Sequence, residues 1–140
     1  MLTRRVALAG LLATPATARA QEFPPAITAA NQSLVLNGLA SRRYFGVEVY
    51  RAGLYLAQRS TDAAAILAAP GAKLVLLRYR RDVPLDAVAK AWDAAFADAC
   101  RCAPPEALRA YMRPVAAGDT ERYLFLPDGA ELSANDLPPA

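Results

Sequence analysis

The sequence predicts an α+β domain, a mostly antiparallel sheet with its helices gathered on one face. Three observations point there. Short segments of alternating apolar and polar residues recur along the chain, as in strands with one covered and one wetter face. One stretch, Pro84 to Cys100, has helical periodicity instead. The elements follow one another as β-β-α-β-α-α-β-β, which lacks the strict alternation of a parallel βαβ sheet.

Each element has its own local reason. Gln21 to Gln32 contains Pro24-Pro25 and reads as a lead-in. Ser33 to Ala40 alternates loosely, as a strand. Arg43 to Ala57 is a second strand whose alternation changes phase: Phe45, Val47 and Val49 are apolar on one phase, Tyr50, Ala52, Leu54 and Leu56 on the other. One residue of slip exchanges the faces of a strand, so a bulge or bend is expected near Tyr50 to Gly53. Ser60-Thr61-Asp62 looks like a helix start, with a hydroxyl cap and an acid in the first turn. The helix Asp62 to Ala69 then stops at Pro70-Gly71.

Ala72 to Val83 is a strand whose centre, Leu74-Val75-Leu76-Leu77, is apolar on both faces, as in a covered strand. Pro84 suits a first helical position. Leu85, Val88, Ala89, Trp92, Ala95, Phe96 and Ala99 then follow the i, i+3, i+4 rule, which makes Trp92 and Phe96 expected core residues. A shorter helix follows Pro104-Pro105, with Leu108 and Met112 inward. Gly118-Asp119 is a turn, and Asp119 and Glu121 beside it read as solvated loop acids. Arg122 to Leu126 and Ala130 to Ala134 form a hairpin about Pro127-Asp128-Gly129.

The chain has 140 residues and no internal repeat, which predicts one domain. Its first 20 residues read as a secretory signal peptide. Arg4-Arg5 precede the apolar run Val6 to Ala13, and Ala18-Arg19-Ala20 resembles a cleavage site. The domain is then 21–140 and the expected location periplasmic or secreted. Without Arg4, Arg5 and Arg19 the 16 basic residues fall to 13, equal to the 13 acids, so the basic pI is no argument for nucleic acid. Arg78-Tyr79-Arg80-Arg81-Asp82 is read the same way, as a solvated strand end. No mature segment is apolar enough to span a membrane. The chain has no histidine and two cysteines, which excludes His-based catalysis and His-ligated metal. Cys100 and Cys102 either pair in a tight loop or stay free, and are read as end-of-helix residues without chemistry. No cofactor and no metal are expected.

Two stretches carry a resemblance: "LVLNGLASRRYFGVEVYRAGLYLA" and "STDAAAILAAPGAKLVLLRYRRDVPLDAVAKAWDAAF". They are similar to the bacterial, exported branch of the chalcone isomerase-like family. That branch shows a G-x-G-x-R turn, a strand with V-Y-x-A-G-L-Y-L, a short helix, and R-D-V leading into a helix with A-W. The matching residues are Gly38 to Arg42, Val49 to Leu56, Arg81-Asp82-Val83 and Ala91-Trp92. The second glycine of the turn is Ala40 here. Relatives also continue past a hairpin like the last one into a further helical region, so the last strand is expected as an exposed edge, or the pocket as short of a wall.

The resemblance implies an open-faced β-sandwich, an antiparallel sheet with helices packed on one face and a ligand cleft between them. In plant chalcone isomerases an arginine on this turn steers the substrate phenolate, and hydroxyls organise a water against the ketone. By motif these positions are Arg42 and Tyr50. The polar residues the enzymes carry on the following helix are replaced by Pro84-Leu85 and Lys90-Ala91. Non-catalytic relatives hold a fatty acid carboxylate with an arginine and a tyrosine, a role that Arg42 and Tyr50 fit, since guanidinium takes carboxylate bidentately and phenol adds a hydrogen bond. Tyr44 and Tyr55, on the same stretch, complete the candidate ligand-binding set. The expectation is an exported, non-catalytic binder of a small amphipathic carboxylate such as a fatty acid. The other readings are an intramolecular lyase for a phenolic enone of chalcone type and a cell-envelope protein that binds a protein partner.

Overall fold

In the computed structural model, which describes residues 22–135, six strands form one antiparallel sheet in chain order. The proposed signal peptide lies outside the described residues. The elements are β1 (Ala26–Ala29), β2 (Gln32–Tyr44), β3 (Val47–Leu56), α1 (Ala63–Ala68), β4 (Lys73–Tyr79), α2 (Leu85–Cys100), α3 (Glu106–Tyr111), β5 (Thr120–Leu126) and β6 (Gly129–Ala134). The α+β class and the helix positions follow the sequence expectation. The lead-in holds one more strand than expected. β1 turns into β2 through Ala30 and Asn31, both left-handed at φ 48° and 56°, as a two-residue hairpin of matching twist requires.

β2 runs straight through Gly38 to Arg42, the stretch the resemblance gives as a turn. The reversal comes later, at Phe45 (φ 47°) and Gly46 (φ 77°). The phase change in β3 is a bulge one residue before the expected range. Arg42 pairs with Tyr50 and Arg43 with Glu48, so Val49 has no opposite number. That slip turns Glu48 and Arg51 to one side, where they meet at 2.9 Å. A second bulge leaves Asn37 unmatched in β2. Its side chain exchanges two hydrogen bonds with the backbone of Ser60, 3.0 and 2.8 Å, tying β2 to the loop before α1.

The α1 cap is Asp62 itself, which accepts from the Ala65 N–H at 3.1 Å; Ser60 Oγ instead accepts from the Asp62 N–H. α2 follows Pro84 and ends at Arg101, left-handed at φ 55°, where Cys100 and Cys102 are joined as a disulfide.

The sheet has two unlike faces. One carries the core: Leu34, Tyr55 and Leu74 are fully buried, with Ala29, Leu76, Leu124 and Leu126 around them. Residues of β1, β2, β3, β4 and β5 join in one cluster on this face of the curled sheet. Each such leucine contributes about 1.5–3 kcal/mol by leaving water. The segment Glu22 to Pro25 crosses the core face as a strap. The helices lie on the other face, fixed by Trp92 against Tyr123 at 5.8 Å. None of the helices buries a residue completely. Trp92 and Phe96, expected in the core, are half-covered because among the described residues no element closes over them.

Candidate functional site

Register decides which of the sequence-predicted residues meet. Arg42 and Tyr50 are direct partners on β2 and β3, on the helix-bearing face. Tyr50 is half-buried and its ring stands 5.6 Å from that of Tyr79, its neighbour on β4. Arg42 is exposed, and among the described residues no acid pairs with it. Tyr44 is 64% exposed beside the β2–β3 turn, edge-on to Phe45 at 4.5 Å. Tyr55 does not join the group. An odd step from Tyr50 along an unbroken stretch of strand, it points into the core, fully buried, with its hydroxyl donating to the Pro24 carbonyl at 3.0 Å. Burial raises its pKa, against the smaller effect of nearby Arg78.

The row begun by Arg42, Tyr50 and Tyr79 continues into a polar cluster. Glu121 on β5 is only 8% exposed, the reverse of the solvated loop acid expected from sequence. The β5 alternation sets Glu121 and Tyr123 on the helix face and Leu124 and Leu126 on the core face. One carboxylate oxygen of Glu121 accepts from both the Tyr79 and Tyr123 hydroxyls, at 3.0 and 2.6 Å. Burial first, then the adjacent Glu121 charge, pushes both phenols well above their ordinary pKa.

Arg113 overlooks this cluster. Its segment is pinned by a bridge between Val83 and buried Val115. Nη1 donates to Asp119 at 3.2 Å, and Nη2 lies 4.0 Å from Glu121. Nε and Nη2 of Arg113 and the Tyr111 hydroxyl are buried without a hydrogen-bond partner. Asp119 accepts from the Ala116 N–H, then from Asn135 and Arg113, and these bonds hold its pKa below the usual carboxylate value.

Next to the cluster, between α2, α3 and the β5–β6 hairpin, is an apolar hollow of about 470 Å³. Trp92, Phe96, Leu108, Tyr111, Tyr123 and Leu132 form most of its wall. This is why the α2 stripe is incompletely buried. None of Arg42, Tyr44, Tyr50 and Tyr55 lines it. A second hollow of about 360 Å³ lies beside α1 and Leu56, also without them. Sequence reasoning passed over Glu121, Arg113 and Tyr111. The available signal was the i, i+2 spacing of Glu121 and Tyr123, which places an acid on the face of an aromatic.

Among the described residues no group of acids and cysteines is placed to hold a metal, and no helix is long and apolar enough to cross a membrane. No curated protein matches the chain significantly. The sequence pattern described as chalcone isomerase-like matches residues 16–136, and the curled antiparallel sheet with three helices is consistent with that fold. The chain belongs to the chalcone isomerase-like family.

Proposed function

We propose that the protein binds a small amphipathic carboxylate of the fatty acid kind, without catalysis, on the helix-bearing side of its sheet. The observation that carries this reading is the hollow of about 470 Å³ walled by aromatic and aliphatic side chains, a volume in the range of small-ligand sites. Burying an acyl chain there stabilises the complex by about 0.8 kcal/mol per methylene.

Charge decides where the carboxylate goes. Beside the hollow, two acids, Asp119 and Glu121, already flank the single guanidinium of Arg113. An anion is disfavoured there. Arg42 has no acidic partner among the described residues, and its strand neighbour Tyr50 offers a phenol on the same face. We therefore assign the carboxylate to Arg42 and Tyr50. β2 and β5 stand three strand spacings apart, about 14 Å, so a ligand that reaches both ends has a long, extended chain.

Export belongs to the same proposal. Its support is the composition of residues 1–20 and the Cys100–Cys102 disulfide, since such bonds persist in oxidising compartments. Titration of the mature protein with fatty acids of increasing length tests the reading, and chalcone absorbance followed with and without protein tests the enzyme reading. Tightening with length, without chalcone turnover, supports the binder.

A further inference from the structure

Like charges directly opposite each other weaken a strand pair, yet Arg51 and Arg78 are register partners on β3 and β4, on the core face. Arg80 follows two residues after Arg78, just past the end of β4. Two acids reconcile them: Glu48, which accepts from Arg51 Nε at 2.9 Å and leaves Arg51 Nη1 free of it, and Glu22. One of its carboxylate oxygens meets Arg80 Nη2 at 2.5 Å and the other lies 3.7 Å from Arg51 Nη1. Its backbone carbonyl accepts from Arg78 Nε.

The next residue supplies a ring. Phe23 lies against Gly53, where the missing side chain leaves the floor open, and the Arg78 guanidinium stands 5.7 Å from the ring centroid, a cation–π distance. One end of the core face thus holds a carboxylate beside an aromatic ring, with both groups coming from the chain itself.

We propose that this arginine-rimmed end of the core face is a binding site for a small aromatic carboxylate, whose place Glu22 and Phe23 take in cis. The site is distinct from the helix-side hollow and lies on the opposite face of the sheet. The ion pairs of Glu22 are 31–48% exposed, the class that contributes little. Glu22 to Pro24 are otherwise held by side chains of the sheet, Arg78 on the Glu22 carbonyl, the Tyr55 hydroxyl on the Pro24 carbonyl and the packing of Phe23. Opening about Pro25, whose carbonyl accepts from the Leu36 N–H at 2.9 Å, exchanges these contacts for those of the guest. A guest acid takes the Arg51, Arg78 and Arg80 donors and lays its ring on Gly53. Self-occupation lowers its apparent affinity by the fraction of time the site is open.

The probe is 3-phenylpropanoate, titrated by calorimetry into the full chain and into the variant carrying Glu22→Gln and Phe23→Ala. The variant binds at least about tenfold tighter than the unaltered protein, since its site is permanently open. Adding Arg51→Ala reverses the gain, and adding Arg81→Ala, at an exposed position off the site, does not. Equal affinity of the variant and the unaltered protein, or indifference to Arg51→Ala, overturns the proposal. Should the double variant not fold, Glu22→Gln alone is titrated, and the ring resonances of Phe23, which packs on Gly53 while the strap is in place, are followed in the unaltered protein. Saturating probe then moves them to the values of a solvent-exposed ring. Bound probe with unchanged Phe23 resonances overturns the proposal equally.

Discussion

The ring of Phe23 and the backbone of Gly53 share one space. A β-carbon on Gly53 would stand 2.7 Å from Cδ1 of Phe23 and 3.2 Å from Cε2 of Tyr55. Glycine at this point of β3 is thus explained by the strap that crosses it and not by backbone strain. Gly53→Ala is expected to destabilise the fold by about 1–3 kcal/mol, the range for overpacking. In the Phe23→Ala background the same change costs less, because the closest contact, that with the Phe23 ring, is gone and only the one with Tyr55 remains. Urea unfolding of the two single variants and the double variant measures that coupling.

The phenols around Glu121 give the protein an alkaline limit. Tyr79 and Tyr123 have pKa values raised by burial and by the Glu121 charge. Their contribution is fully present below the ordinary tyrosine value of about 10. It falls as pH rises past that value, because the unfolded chain then releases phenol protons that the folded one retains. Phenolate absorbance should therefore rise for these tyrosines only together with loss of structure, and Tyr79→Phe should shift the alkaline transition. A smooth titration of every tyrosine in the folded state contradicts this.

Asp119 sets an acid limit with the opposite sign. Its pKa is lowered, chiefly by the Ala116 N–H, then by Asn135 and Arg113. The stabilisation is complete above the ordinary aspartate value of about 3.9 and is lost as pH falls through the lower folded value. Asp119→Asn is expected to cost about 1–2 kcal/mol near neutrality, the scale of a charge-assisted hydrogen bond. The gap between variant and unaltered protein should close below that pH. Unfolding curves at a series of pH values check it.

The α+β class, the long helix and the last hairpin were legible because period and punctuation are local. The phase change in β3 was legible too, and the bulge at Val49 is its cause. β1 was not, since four residues after a proline pair hold too little pattern. The site was harder to read. Sequence sets Arg42 and Tyr50 on one strand stretch, but only the register shows that they face the same way and that Tyr55 faces the core. Glu121 looked like a loop acid because its burial comes from Tyr79, forty-two residues away in the chain. A β5 with apolar groups on both faces gave no sign of which face the helices take.

The hollow offers a separate handle. Leu132→Trp adds bulk on its wall without touching the core face. It is expected to weaken fatty acid binding by about tenfold or more while leaving stability within about 0.5 kcal/mol, as for changes outside the core. Parallel calorimetry and urea unfolding separate the two effects.

The most direct measurement is native mass spectrometry of the protein incubated with palmitate, alongside Arg42→Ala and Tyr50→Phe. The expected result is a one-to-one complex with the unaltered protein, strongly reduced by Arg42→Ala and partly by Tyr50→Phe. Apo protein throughout, or a complex indifferent to Arg42→Ala, would contradict the assignment of a fatty acid carboxylate to this face of the sheet.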